Sequence, residues 1–530
     1  MTAEAVDAVV IGAGHNGLVA AAMLADAGWD VLVLEAQPEP GGAVRSAELT
    51  PGYVTDLFSS FYPMTAASSA MAALHLEDHG LQWSRAPAVV GHPASAADDD
   101  PPILYPDPAR TATEFERREP ADGENWWRIV TLWEKIKSPL LDAILSPFPP
   151  VFPTIRLLLK LGTADAVRLA HLLVQPANTM VEQLFDGEAP RLLLLGNAMH
   201  ADVPAEAPGS GVFGFLMTML GQDVGWPVPV GGSGQLTAAL VNRARSVGAQ
   251  IECNQNVATI QVQNGRAVGV TTDGGRTVRA RRAVVADVTA PRLFCDMLPA
   301  DAVPVGLRDE LEHFVWDPPV VKVNYALDSK IPWRAMGLAD VGTIHLGADA
   351  DGLVRWMADL NTRVVPEHPF MLLGQTTTAD PSRSPAGTES VWAYTHLPRN
   401  VADDDSAERL AKAVDHVIEE HAPGFGSHVI DRFVQRPSDL EASDANLHLG
   451  ALNGGTAQLQ QMLVFRPAPG MGRAETPVEG LYLGSASATP GGSVHGACGR
   501  NAANAALAAA GWTGWPRRKL TRGVLSLLTK

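Results

Sequence analysis

The chain is short of several things a 530-residue protein often has. It contains three cysteines, Cys253, Cys295 and Cys498, far apart in sequence. No CxxC pair and no His/Cys group at metal-ligand spacing is present, which excludes a thiol relay and a zinc site of the usual spacing. Aromatic residues make up only 6%. Basic residues are outnumbered, 40 Lys+Arg against 58 Asp+Glu, for a formal charge of −18. A general nucleic-acid binder needs a broad basic surface to neutralise phosphates, so no nucleic-acid partner is expected. No uninterrupted apolar run reaches the roughly 18 residues of a membrane span. Met1–Asp7 is polar and leads straight into a strand pattern, unlike a secretory leader. The expectation is a cytoplasmic protein, with peripheral contact at a membrane left open.

What is present begins at once. Ala8-Val9-Val10-Ile11 reads as a strand buried on both faces, followed by Gly12-Ala13-Gly14-His15-Asn16-Gly17, an alanine-rich helix to about Ala27, and a helix stop at Gly28. A second buried strand, Val31–Leu34, ends in Glu35. Each part has a mechanical reason in a dinucleotide-binding unit. Gly12 permits the tight turn, Gly14 lets the backbone approach a pyrophosphate, and Gly17 lets helix and strand pack closely. The helix N-terminus offers free N–H groups to phosphate. Glu35 can accept hydrogen bonds from both ribose hydroxyls.

After Glu35 the chain continues Ala36-Gln37-Pro38-Glu39-Pro40-Gly41-Gly42-Ala43-Val44-Arg45. This resembles the E-x5-GG-x2-R extension of FAD-binding oxidoreductases related to glutathione reductase and amine oxidases. The resemblance implies FAD, with Gly41 and Gly42 allowing a second close backbone approach and Arg45 supplying charge for the pyrophosphate. No second GxGxxG lies between a strand and a helix, so no separate NAD(P) lobe is expected.

Near the other end, Gly480–Ala503 runs from a strand (Leu481–Leu483) through a glycine-rich loop into an alanine-rich helix. Here the sequence resembles the phytoene desaturase-like (carotenoid desaturase-related) flavoproteins. It is most similar to the branch called pyridine nucleotide-disulfide oxidoreductase domain-containing protein 2, a label at odds with the missing cysteine pair. Pro229–Leu236, Ala283–Asp287 with Pro291, and Arg436–Glu441 resemble further family segments. The resemblance implies an α/β fold: a discontinuous FAD-binding Rossmann-type domain of the glutathione reductase/amine oxidase kind, a mixed-sheet substrate domain and a helical cap. The expected boundaries are 1–75, 228–295 and 442–512 for the FAD domain, 76–227 for the cap and 296–441 for the substrate domain. A basic amphipathic tail, 513–530, follows.

The resemblance also implies that Gly484, Gly492, Val494 and His495 meet the flavin, at a helix starting near Gly492–Val494 whose N-terminus stabilises reduced flavin. Ser485-Ala486-Ser487 stands where many relatives carry an acid, so hydroxyls or backbone must make that contact. Ile251–Val257 would be one strand, with Val257 meeting the adenine end. Ser59-Ser60-Phe61-Tyr62 would line the ring face. Cys498 fits packing against the sheet better than a covalent flavin link.

His495 and His200 are the candidate acid/base groups, and each also fits a hydrogen-bonded structural histidine. Asn264-Gly265, between alternating runs, signals a hairpin. Val320–Leu327 and Ser390–His396 read as strands, and Ser406–His421 as an amphipathic helix on them. Ile155–Val174 reads as one leucine-rich helix with Arg156, Lys160 and Arg168 interspersed. It is either a lid or membrane-touching helix admitting a lipophilic substrate, or a buried cap helix with snorkelling basic residues.

Three functions are consistent with these features. One is an FAD-dependent desaturase or dehydrogenase acting on a lipophilic, isoprenoid-like substrate, with oxygen or a quinone as electron acceptor. The second is an amine oxidase-like enzyme, which would show an aromatic cage and a lysine near the flavin. The third is a flavin-bound scaffold or assembly protein without catalysis.

Overall fold

The computed structural model describes residues 4–511. The basic tail expected at 513–530 lies outside the described residues. The fold is α/β, with two seven-stranded sheets and a helical layer.

The first sheet has a parallel core in the order Leu481–Leu483, Thr277–Ala286, Glu4–Ile11, Val31–Leu34, Gln250–Glu252. Val31–Leu34 is buried throughout, as a central parallel strand covered on both faces must be. Two alanine-rich helices, His15–Asp26 and Ala497–Ala510, pack on one face. Their contact is backbone to backbone: a Cβ at Gly499 would stand 1.9 Å from the Asn16 carbonyl oxygen. Helix Gly234–Ser246 completes that face. The hairpin Val257–Gln263/Arg266–Thr272 turns at Asn264 (φ 52°) and Gly265 (φ 73°), both in the left-handed region a two-residue turn requires. Ile251–Val257 is therefore not one strand. Gln250–Glu252 closes the parallel edge, and Val257 opens the hairpin.

The second sheet has the order Val429–Gln435, Val320–Leu327, Glu389–His396, Met371–Gln375, Val341–Leu346, Ala88–Gly91, Ile103–Leu104. Side chains alternate across it. Val321, Val323, Leu373, Val391 and Ala393 pack on the amphipathic helix Asp404–His421 through Leu410, Val414 and Ile418. Lys322, Leu372, Trp392 and Tyr394 point the other way, into a cavity. The last two strands of this sheet fall inside the span read as a helical cap, 76–227, so that interval also supplies the sheet's edge.

The rest of that interval is helical: Pro108–Arg118, Pro120–Leu145, Val151–Leu161, Thr163–Val174, Ala177–Leu184, Glu188–Ala198 and Ser210–Asp223. Ile155–Val174 is not one helix. Gly162, at φ 76° and ψ 166°, breaks it into two helices that pack on each other. Val151–Leu161 contains no buried residue, and Phe152 and Leu159 are 77% and 81% exposed, so the buried-cap reading fails for that half, while Leu169 of Thr163–Val174 is buried against the helical core.

Candidate active site

The Gly12–Gly17 turn, Glu35 and the segments 256–257, 287–292, 444–447 and 485–487 enclose a cleft at the carboxyl ends of the parallel strands. Gly12, Gly14, Glu35, Gly42 and Val257 all line it. Gly12 is at φ 93°, and a Cβ there would sit 3.0 Å from the Asp287 carbonyl oxygen. The Gly41-Gly42 turn lies against the first loop: Gly41 N–H donates to the Ala13 carbonyl (2.9 Å), and a Cβ at Gly42 would be 3.2 Å from Gly14 Cα.

Glu35, 7% exposed, accepts from the backbone N–H groups of Ala13 (2.7 Å) and Gln37 (2.8 Å). These two bonds fix the carboxylate on the cleft wall and leave lone pairs for hydroxyl donors. Gly17 acts from behind the wall. A Cβ there would be 2.2 Å from the Gly12 carbonyl oxygen, and its N–H donates to Asp287 Oδ2 at 2.9 Å. Burial, opposed by that hydrogen bond, pushes the Asp287 carboxyl up to about 8, with Asp444 and Glu35 adding to the rise.

Arg45 departs from expectation. Its guanidinium donates to the carbonyls of Gly42 (3.0 Å) and Ser443 (2.9 Å) and stacks over Phe58, and it does not line the cleft. It braces the glycine turn against the 443 segment, and its charge is met by these carbonyl oxygens and by the Glu39 carboxylate at 3.6 Å. Gly484 is likewise packed between Val285 and Ala502, and the cleft wall is formed by the next three residues. Of these, Ser487 donates to the Gly454 carbonyl and Ser485 accepts from Ser487 N–H.

The cleft opens into a second, mainly apolar cavity through His15, Ala43, Leu447, Leu452 and Ala486, which line both. Gly492, Val494, His495 and His200 line this second space, as do Ser59, Ser60, Phe61 and Tyr62. The helix expected to start near Gly492–Val494 begins at Ala497, because Gly496 takes a left-handed φ of 66° immediately before it. His495 Nδ1 accepts from Ala497 N–H at 3.0 Å. Its Nδ1 lone pair is thus committed to the helix start, and burial holds the ring neutral, down to about 3. Cys498 donates to the carbonyls of Ala488 and Gly491, and burial pushes its thiol up to about 12, so it is neither a flavin link nor a thiolate.

Sequence reading missed three groups. His15, inside the fingerprint itself, is buried at the junction of the two spaces with no partner for Nε2. Lys322 sits on the cavity wall, with Nζ donating to the carbonyls of Asp56 and Phe58 (3.1 Å for the latter). Burial, partly offset by Asp56, brings it down to about 7. Trp392 and Tyr394 stand beside it, stacked at 5.8 Å and 24°. The strand alternation of 320–327 and 389–396 was legible, but not which face would meet a cofactor. Gly374, opposite Trp392 in register, leaves the room its ring fills, since a Cβ there would stand 2.3 Å from the indole.

Two adjoining glycine turns, a carboxylate on the cleft wall and the buried, unpartnered Nε2 of His15 at the cleft's inner end fit FAD. The family model for flavin-containing amine oxidoreductases matches residues 17–507. The chain belongs to that family. FAD is its cofactor, and it is an FAD-dependent oxidoreductase of the amine oxidase and carotenoid desaturase superfamily.

Among its relatives, pyridine nucleotide-disulfide oxidoreductase domain-containing protein 2 of Rattus norvegicus is 30% identical, over 94% of this chain and 92% of its own. The zeta-carotene-forming phytoene desaturase of Myxococcus xanthus is 25% identical over 91% and 90%. A double mutant of putrescine oxidase shares the fold, with a TM-score of 0.62 at 16% identity, covering 95% of this chain and 99% of that one.

Proposed function

We propose that the protein oxidises a lipophilic, isoprenoid-like substrate by desaturation or dehydrogenation, with the electrons passing on to oxygen or a quinone. The observation that carries this reading is the lining of the second cavity. Phe61, Ile144, Phe213, Leu216, Met217 and Trp226 dominate it, and no carboxylate is among the described residues that line it. Its ionisable side chains besides histidine and tyrosine are Lys322 and Arg466, both basic, so a cationic substrate would find no counter-charge in a desolvated space. A hydrocarbon has nothing to lose there. A relative's action on phytoene agrees with that lining.

Bound FAD supplies a hydride acceptor. The chain's own part is to hold a C–H bond of the substrate at the junction of the two spaces, to keep water away with the apolar wall, and to accept a proton. His200 is the group for the proton. It lines the cavity, and burial holds the ring uncharged, down to about 3, so the nitrogen not engaged by another group carries a free, weakly basic lone pair.

One observation favours an amine oxidase-like reading instead: the stacked Trp392–Tyr394 pair beside Lys322, a partial aromatic cage next to a buried lysine. The two are separated by mixing FAD-loaded protein anaerobically with polyenes, retinoids and amines in turn. Bleaching of the flavin band by an isoprenoid polyene is expected. Bleaching by amines alone refutes the lipophilic reading, and bleaching by nothing favours a flavin-bound scaffold.

Access for such a substrate fits the exposed helix pair. Phe148 N–H donates to the Gly472 carbonyl at the start of the pair, beside exposed Leu463 and Phe465, and Met462 in that loop lines the cavity. The pair carries Arg156, Lys160 and Arg168 against one acid, Asp165, on a chain of net charge −18. That combination suits peripheral contact with an anionic lipid surface. Among the described residues no helix is long and apolar enough to cross a membrane.

A further inference from the structure

Behind His200, away from the cavity, lie two more buried histidines that the reaction as described above does not use. His345 belongs to the strand Val341–Leu346 and shares a cross-strand row with Leu372, Tyr394 and Lys322. His92 follows the neighbouring strand Ala88–Gly91. Both are 0% exposed. His200 Nε2 and His345 Nε2 are 2.9 Å apart, the rings of His345 and His92 meet edge to face at 5.1 Å, and His92 Nε2 is 2.9 Å from the Ala348 carbonyl oxygen. Phe370 covers both inner rings, and Trp226 packs edge-on against His200.

The far end of this row sets the protons. A carbonyl oxygen only accepts, so His92 must carry its proton on Nε2. Burial keeps His92 neutral, down to about 4, with the Ala348 and Leu192 backbone and Asp349 opposing the shift and His421 adding to it; Nδ1 is therefore bare. His345 is also held neutral, well below its usual value, by burial and by the other two imidazoles. Its Nδ1 and that of His92 both border Gly196, where a Cβ would lie 2.3 and 2.5 Å from them, and neither meets the geometry of a full hydrogen bond, although the Leu192 backbone also favours a proton on His92. A proton on His345 Nδ1 relieves the repulsion between two bare nitrogens that border the same buried space. His345 Nε2 is then bare and accepts from His200 Nε2–H. The one nitrogen of His200 left without a proton is Nδ1, the atom not engaged by His345.

We propose that His345 and His92 are positioning residues that lock His200 in the Nε2–H tautomer, with Nδ1 as a proton acceptor available to the substrate cavity. Its use in catalysis rests on the reading of His200 as the proton-accepting group; the tautomer itself does not. A proton taken at Nδ1 can be followed by release of the Nε2 proton to His345 Nε2, so the row also provides a first step for moving the proton off His200 without re-crossing the substrate. Gly196 is specified by the same arrangement, since any side chain there would separate the two inner rings.

The test is the ring-nitrogen spectrum of FAD-loaded protein labelled with 15N-histidine, the His200 signals being assigned by their loss in His200→Gln. A single Nε2–H pattern at His200 between pH 6 and 8 is expected, collapsing to a tautomer mixture in His345→Phe and in His92→Phe. A His200 proton on Nδ1 in the parent overturns the proposal, and so does an unchanged His200 pattern in a folded His345→Phe. The parent spectrum decides the matter even where a variant does not fold. With a polyene that bleaches the flavin, His345→Phe should slow bleaching by roughly a hundredfold, the lower range of general-base contributions. Failure of every polyene to bleach would remove the proposed function while leaving the tautomer result standing.

Discussion

Removing the Glu35 carboxylate tests the cofactor site at its most constrained point. In the free protein this group accepts two backbone N–H bonds, from Ala13 at 2.7 Å and Gln37 at 2.8 Å, and it lies on the wall of the nucleotide cleft. Glu35→Ala therefore takes away the acceptor for ribose hydroxyls and leaves the buried Ala13 N–H without its partner. A hydrogen bond to a charged group contributes about 1.5–3 kcal/mol. At about 1.4 kcal/mol per factor of ten, FAD affinity should fall roughly 10- to 150-fold. Glu35→Gln retains one carbonyl acceptor and should lose less. The assay is titration of apoprotein with FAD by calorimetry or flavin fluorescence at fixed pH. Thermal unfolding of the apoproteins separates cofactor loss from loss of fold. An FAD Kd for Glu35→Ala within twofold of the parent, with the fold intact, would refute the assignment of Glu35 to the ribose.

Gly499→Ala should cost stability and FAD together, because its Cβ would meet the Asn16 carbonyl at 1.9 Å; overpacking of this kind costs about 1–3 kcal/mol, read as a lower Tm and less flavin absorbance after dialysis. Asp287, raised to about 8 chiefly by burial, titrates higher in the folded protein than in the unfolded chain. Its contribution to stability is complete below about pH 4 and is lost as the pH rises to about 8. The apoprotein Tm should fall across that window, and Asp287→Asn should flatten the fall; an equally steep profile in the variant would exclude Asp287 as its source. Phe152→Ser with Leu159→Ser, at two of the most exposed apolar positions, should abolish co-sedimentation with vesicles containing anionic lipid without changing Tm, whereas unaltered binding would exclude the helix pair as the contact.

The histidines show how differently local and distant information reach a site. Gly12, Gly14, Glu35 and Gly42 were legible because their roles are set by the chain within about thirty residues: a turn, a strand end and a second turn that touches the first. His495 was legible as a position but not as a role. Whether its Nδ1 faces substrate or caps a helix depends on where the helix begins, and the left-handed Gly496 moves that start to Ala497. The family resemblance implied Arg45 as a phosphate ligand, but the Ser443 carbonyl that accepts from it is almost four hundred residues away. The break at Gly162 was readable in principle, since glycine is the residue that tolerates φ 76°.

By itself the sequence determined a dinucleotide-binding unit, through Gly12, Gly14, Gly17 and Glu35; its resemblance to FAD-binding oxidoreductases from Glu35 to Arg45 implied FAD, and the absence of a cysteine pair excluded a thiol relay. It also determined the strands Val31–Leu34 and Val320–Leu327 and the helix on the second sheet, because burial on both faces or on one face leaves its period in the residues, but not the breaks at Gly162 and between Glu252 and Val257. Only the tertiary structure decided what lines the second cavity. Lys322, Trp392, His345 and His92 come from separate strands or their ends, and His200 from the helical layer. They meet only because strand register sets them in neighbouring rows and because Gly196 and Gly374 leave the space their rings occupy. Register and vacancy are properties of pairs of segments, and no single segment records them.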